Sequence, residues 1–294
     1  MKTKQYYMKL KTTIATALGV LALSCCTGWT DTEPIPVTDV HPWEKSPEVW
    51  KEYQSMIWNY KSREHNLTYV RFGRGGQDPV NEGGFLRCLP DSLDFVSLTD
   101  AADFSEADAE DMEWMRAVGT KVLYQIDLAK TQDAADAIVS VKTCGLDGFS
   151  LTGADLANSK TASDILAELA MAKGADKYLV FEGDPAIVPE NLFGDIDSFV
   201  LATEKTDNSY DLANTFRDAT DLGIPARKIL FAASFDGEWY DISLEEADPL
   251  VSVADKVIEL GPIAGMALYD IAGDYYHYDG EWLKIRSIIS RLNR

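Results

Sequence analysis

Short runs rich in Val, Ile, Leu, Phe and Tyr recur along the chain from about Ser46 onward, separated by longer stretches with helical spacing. Seven of these runs read as strands: Leu67–Phe72 (LTYVRF), Leu93–Leu98 (LDFVSL), Lys121–Ile126 (KVLYQI), Gly148–Thr152 (GFSLT), Lys177–Phe181 (KYLVF), Ser198–Ala202 (SFVLA) and Lys228–Ala233 (KILFAA). An eighth is Ala264–Tyr269 (AGMALY). Most lack strict alternation, the pattern expected where both faces of a strand are covered in a parallel sheet.

The helices between them have readable ends. Ser105, with Asp108 three residues on, opens one that Gly119 closes, and Thr131 opens another that reaches Cys144 and stops at Gly145. Thr161–Lys173 closes at Gly174, Ser209–Leu222 at Gly223 and Leu244–Leu260 at Gly261, and Gly280–Leu292 is the last. Eight strands alternating with helices over residues 48–294 predict an α/β fold, a (β/α)8 TIM barrel, which takes about 250 residues. Two units are irregular. Gly73–Leu89 after the first strand is Gly-rich with no convincing helix, and Pro189–Phe193 after the fifth allows only a short turn. The competing architecture is an open doubly wound sheet, which calls for a phosphate-binding turn. Gly73-Arg74-Gly75-Gly76 lacks the dinucleotide spacing, and no Gly-Lys-Ser/Thr loop occurs. In a barrel, ligands bind at the C-terminal ends of the strands, so the strand ends are the candidate site positions.

Composition fits this picture: 46% of the 294 residues are hydrophobic and 11% aromatic, enough for a full core and incompatible with disorder or a disulfide miniprotein. Against 48 Asp and Glu stand 27 Lys and Arg, a formal charge of −21. Such a surface repels phosphate backbones and anionic lipid, which argues against a nucleic-acid partner and against membrane contact other than through an anchor.

The first residues change the expected location. Lys2, Lys4, Lys9 and Lys11 precede an apolar run from Thr12 to Leu23, and Ser24-Cys25-Cys26 follows. The run is shorter than the ~20 residues a membrane span needs. It reads as a lipoprotein signal peptide over residues 1–25, with Cys25 or Cys26 receiving lipid; Met8 is an alternative start. A plain cleaved signal with an incidental Cys pair is the other reading. Residues 26–47, with Pro34, Pro36, Pro42 and Pro47, read as a Pro-rich tether. The expected location is exported and lipid-anchored to the outer membrane or cell surface. Cys88 and Cys144 then remain in the folded part and are read as unpaired thiols, with a disulfide as the alternative.

The fourth strand and its flanks read Leu146-Asp147-Gly148-Phe149-Ser150-Leu151-Thr152-Gly153-Ala154-Asp155. With LTYVRF, LPDSLDFVSL, GTKVLYQIDL and GMALYDI in order, the chain over about residues 50–294 resembles glycoside hydrolase family 18, the chitinases and endo-β-N-acetylglucosaminidases, and the gut-bacterial endoglycosidase-like branch in particular. That family's strand-four signature is D-G-x-D-x-D-x-E. The resemblance implies a substrate-assisted reaction: the glutamic acid protonates the glycosidic oxygen, the sugar's 2-acetamido group attacks the anomeric carbon, and the preceding aspartate stabilises the oxazolinium ion. Only Asp147 and Gly148 carry over. Ser150, Thr152 and Ala154 stand where the family has Asp, Asp and Glu. Ala154 has no proton to give and Thr152 carries no charge. Proton transfer is worth about 10²–10⁴-fold, so the losses point away from hydrolysis and no catalytic residue is assigned. Asp155 is turned to the opposite face by strand alternation unless Gly153 makes a bulge.

A barrel without its acid keeps a cleft, and sugar recognition needs aromatic faces and polar groups. The candidate ligand-binding residues are Trp239 and Tyr240 after strand seven, Tyr269 and Asp270 at the end of strand eight, Asp127 after strand three, Glu182 after strand five, and Thr152. Trp239 is foremost, as a loop Trp with little core to join. The plainer alternatives are that Tyr269 fills the barrel mouth, that Tyr275–Tyr278 packs the last helix, and that acids such as Asp184 and Asp236 shape turns. His41, His65 and His277 show no metal-ligand spacing and read as surface residues, so neither metal nor cofactor is expected. The leading expectation is a non-catalytic surface lipoprotein that binds N-acetylglucosamine-containing glycans, N-glycan or chitin-like, with outer-membrane glycan transporter components as further partners. The alternatives are a hydrolase using a displaced acid (Asp155, Glu182 or Asp127) and an accessory scaffold that binds no sugar.

Overall fold

A computed structural model describes residues 42–130, 134–153, 159–240 and 246–294. The signal segment, Cys25, Cys26, most of the tether, Ala154, Asp155 and the expected helix starts at Thr131 and Leu244 lie outside the described residues. Two compact units divide the chain, Met1–Glu48 and Val49–Arg294. The described part of the first contains the helix α1 (Pro42–Lys45) and the start of α2 (Pro47–Lys61).

The second unit is a closed parallel barrel. Its strands are β1 (Leu67–Phe72), β2 (Phe95–Leu98), β3 (Lys121–Asp127), β4 (Gly148–Thr152), β5 (Tyr178–Glu182), β6 (Ser198–Leu201), β7 (Ile229–Ser234) and β8 (Gly265–Tyr269), each hydrogen-bonded to the next. β8 closes on β1 with Leu67 opposite Gly265 and Tyr69 opposite Ala267. The helices are α3 (Glu106–Val118) after β2, α4 (Ala134–Thr143) after β3, α5 (Ser159–Lys173) after β4, α6 (Ser209–Asp221) after β6, α7 (Pro249–Leu260) after β7 and, at the end, α8 (Leu283–Leu292). The two irregular units are as the sequence predicts. Three-residue 3-10 turns at Glu82–Gly84 and Leu86–Cys88 follow β1, and turns at Pro185–Ile187 and Glu190–Leu192 follow β5.

Local chemistry explains the helix ends. Ser105 accepts from the backbone N–H of Asp108 while the Asp108 carboxylate accepts from the Ser105 N–H, a reciprocal cap, and Gly119 closes α3 in the left-handed conformation at φ 76°. α2 is tied to the N-terminal side of the barrel: Gln54 and Trp58 donate to the Ala117 carbonyl, and Lys61 donates to Leu93 O and Thr120 Oγ1. The last helix is different. It starts at Leu283, three residues later than its sequence pattern, because Tyr276–His277 and Gly280–Glu281 pair as a small hairpin first, β9 and β10. The buried Asp274 carboxylate then caps the helix, accepting from the N–H groups of Lys284 and Ile285.

Side chains sort by strand alternation. One set faces the surrounding helices and forms the larger core, including Val70, Phe72, Leu98, Ile126, Phe149, Phe181, Phe199 and Phe231. The other set fills the barrel: Tyr69, Leu123, Val180, Val200, Leu230, Ala232, Ala267 and Tyr269. Cys88 and Cys144 are both free thiols. Burial and the Glu82 carboxylate push the Cys88 thiol up to about 12. No helix among the described residues is long and apolar enough to cross a membrane.

Candidate functional site

The two family-like positions that the sequence keeps lie at the start of β4, away from the strand ends, and both are structural. The Asp147 carboxylate accepts from the Val122 N–H at 3.0 Å, pinning the start of β3. Gly148 brings β4 so close to β5 that a Cβ there would stand 2.1 Å from the Tyr178 carbonyl oxygen. Only glycine fits that approach.

At the opposite end, inside the C-terminal layer, a carboxylate sits among donors. Glu182 is 2% exposed and accepts from Tyr69 Oη (2.6 Å), Tyr269 Oη (2.8 Å), Arg71 Nε (2.7 Å), Gln125 Nε2 (3.1 Å) and Ser97 Oγ (3.3 Å). Such a satisfied network is what makes a buried charge tolerable. Burial and the neighbouring Glu182 charge hold the Tyr69 and Tyr269 hydroxyls well above the usual phenol range. Burial works against the Arg71 charge, but the Glu182 carboxylate outweighs it and raises the arginine above its ordinary value. Ser150 and Ser97 share a hydrogen bond of 2.7 Å, so at the position of the second motif aspartate a hydroxyl pair fills the barrel.

Arg71 is the lid of this network and the floor of what lies above. Its guanidinium stacks 3.7 Å from the centre of the Tyr269 ring, and Nη2 donates to Thr152 Oγ1 at 3.1 Å. Above it opens a cavity of about 880 Å³, floored by Arg71, Gln125, Thr152 and Tyr269 and walled by Asp127 and Asp270. Asp127 accepts from the Ala129 N–H at 3.0 Å and faces Lys130 Nζ at 3.4 Å. Asp270, at φ 59°, accepts from Ser234 Oγ at 2.5 Å. The rim carries Val80 and Tyr276, both largely exposed, and the fully exposed Tyr278 sits at the tip of the neighbouring β9–β10 hairpin. Among the described residues no group of three His, Cys, Asp or Glu side chains is placed to hold a metal.

Of the seven residues read from the sequence as ligand-binding, four line this cavity: Tyr269, Asp270, Asp127 and Thr152. Asp127 is the last residue of β3 and Glu182 the last of β5, where the sequence placed both just beyond their strands. Glu182 lies one layer below the cavity, occupied by its five donors. Trp239 and Tyr240 are not at the cavity. Trp239 is 5% exposed and packs into the core between barrel and helices, because its loop folds back: Tyr240 N donates to Asp207 O and Ala247 N to Trp239 O. Asp184 is a turn residue that caps Pro185–Ile187. In the Tyr275–Tyr278 run only Tyr275 is buried, against Trp282. His65, expected on the surface, has a nearly buried side chain that pairs with Asp94 at 2.9 Å. The sequence reading overlooked Arg71. Its signal was a charged residue at an inward position of the LTYVRF strand, two places on from Tyr69.

The fold and this site define a (β/α)8 barrel with a cavity of mixed polar and apolar lining at the C-terminal strand ends. The model of glycoside hydrolase family 18, BT1044-like, matches residues 30–141. A selenomethionine form of BT1044 superposes with a TM-score of 0.70 at 18% identity, covering 88% of this chain and 98% of that one. The apo endo-β-N-acetylglucosaminidase from Cordyceps militaris gives 0.60 at 17% identity, covering 83% and 96%. A chitinase from Bacteroides thetaiotaomicron gives 0.53 at 13% identity, covering 78% and 96%. At these identities the likeness establishes the fold. No curated protein sequence matches the chain.

Proposed function

We propose that this protein binds glycans containing N-acetylglucosamine, N-glycan or chitin-like, and does not cleave them. The observation that carries the reading is the floor of the cavity. Where the family pattern has its third aspartate stands Thr152, whose hydroxyl accepts from the Arg71 guanidinium at 3.1 Å. A guanidinium held charged cannot protonate a leaving oxygen, and its positive charge opposes the oxazolinium cation that the family's reaction develops. The buried Glu182 is engaged by five donors and cannot reach a ligand in the cavity. What remains suits binding: an open cavity of mixed polar and apolar lining, donors on its floor and the exposed Tyr276 at its rim. The glycan class is supported by the company the fold keeps, which includes an endo-β-N-acetylglucosaminidase, a chitinase and YKL-39, solved in the presence of chitooligosaccharides.

The same proposal includes export and a lipid anchor at Cys25 or Cys26, a Pro-rich tether, and glycan capture beside an outer-membrane uptake system. Calorimetric titration of the purified full-length protein with N-glycans and chito-oligosaccharides tests the central reading. Saturable binding is expected, and no heat or shift at millimolar ligand would defeat it.

A further inference from the structure

Arg71 uses only part of its donor capacity within the barrel. Nε goes to Glu182 and Nη2 to Thr152, while Nη1 has no hydrogen-bond partner among the described residues. The side chain is 29% exposed, and that exposure faces the cavity. The plane of the guanidinium is fixed by the Tyr269 ring beneath it and by Glu182 behind it. Glu182 in turn divides its charge among four other donors, so Nε alone does not consume it. The result is a charged, planar fork, locked in orientation, with its free edge turned to the ligand.

A guanidinium in this condition matches a planar or tetrahedral oxyanion through parallel charge-assisted hydrogen bonds. We propose that the Arg71 edge receives an anionic substituent of the bound glycan, a sugar carboxylate or a sulfate ester. The inference rests on the glycan-binding reading and names the class of glycan. Of the acids that line the cavity, Asp127 is bonded to Ala129 N and faces Lys130, Asp270 is bonded to Ser234, and Asp78 and Glu204 complete the set; Arg71 is hydrogen-bonded to none of the four, its partners being Glu182 and Thr152. The other two cations of the lining are already paired, Lys130 with Asp127 and Arg74 with Asp108, which leaves Arg71 as the donor turned to the ligand.

The test is a calorimetric comparison on the purified full-length protein. A neutral biantennary N-glycan is titrated beside its sialylated form and beside a form carrying 6-sulfated N-acetylglucosamine. At low salt at least one acidic form should bind about tenfold tighter than the neutral parent, the gain expected of a charge-assisted pair. Which acidic form gains tells carboxylate from sulfate. The preference should shrink as salt is added and disappear in the double variant Arg71→Gln/Glu182→Gln, which removes both charges and keeps polar side chains. If that variant does not fold, the salt dependence of the wild-type preference decides the matter. Equal binding of neutral and acidic glycans overturns this inference and leaves the glycan reading intact. Binding of none of the three, nor of a chito-oligosaccharide titrated beside them, defeats the glycan reading itself.

Discussion

The Arg71 guanidinium donates through Nε to Glu182 at 2.7 Å and covers it, so that a carboxylate buried to 98% is sealed below the cavity by its own counter-ion. This ion pair decides the character of the site. It places a donor on the cavity floor, and it makes the deeply buried Glu182 carboxylate a support for that donor. Cutting one partner of such a pair leaves an uncompensated charge. Arg71→Met should therefore cost about 3–5 kcal/mol of stability, read as a lower urea midpoint. A midpoint equal to wild type would show that the pair does not hold the barrel mouth.

Trp239 belongs to the core between barrel and helices. Trp239→Ala should cost about 3–5 kcal/mol, the usual range for emptying a large aromatic site, while the protein that remains folded keeps its glycan affinity within about twofold. Lost affinity in a fully folded Trp239→Ala variant would return this residue to the binding site.

Gly148 is retained for packing. Gly148→Ala drives a methyl group toward the Tyr178 carbonyl, where a Cβ would stand at 2.1 Å, and the strands must part. A loss of about 1–3 kcal/mol, as for other overpacked sites, should appear in thermal unfolding. An unchanged melting temperature would contradict the close approach of β4 and β5.

His65 gives stability a pH dependence. Its hydrogen bond to Asp94 raises its pKa above 6.5; burial and Lys61 oppose the rise, and the Arg63 carbonyl supports it. A folded pKa above the unfolded one stabilises the protein below pH 6.5, and this contribution disappears as pH rises through the folded value. The wild type should lose stability relative to His65→Asn as pH is raised from 6.5, measured by chemical unfolding at each pH. A constant difference across that range would show that the imidazole does not titrate with folding.

The barrel was legible in the sequence because strands covered on both faces must be nearly continuous apolar runs, and eight such runs left no smaller architecture. The caps at Ser105 and Gly119 were legible for the same local reason: orphan N–H and C=O groups demand particular residues. The site was legible in part. Residues at strand ends, such as Asp127, Thr152, Tyr269 and Asp270, follow from the rule that barrels bind ligands there. What could not be read was loop path and depth. The loop after β7 folds back against Asp207 and buries Trp239, a tertiary choice with no local signature. His65 looked like a loop residue because its partner Asp94 is 29 positions away. Arg71 was visible as a lone charge in an apolar strand, but its meaning depended on Glu182 and Tyr269, brought to it only by closure of the barrel.

The most direct test of the account is to incubate the purified protein with a high-mannose glycoprotein and follow released glycan by mass spectrometry, with bound glycan measured in the same samples. The account predicts bound, intact glycoprotein and no release above a buffer control at any time. Release that grows with time and protein concentration, and stops when Asp155 or Asp127 is changed to Asn, would contradict it.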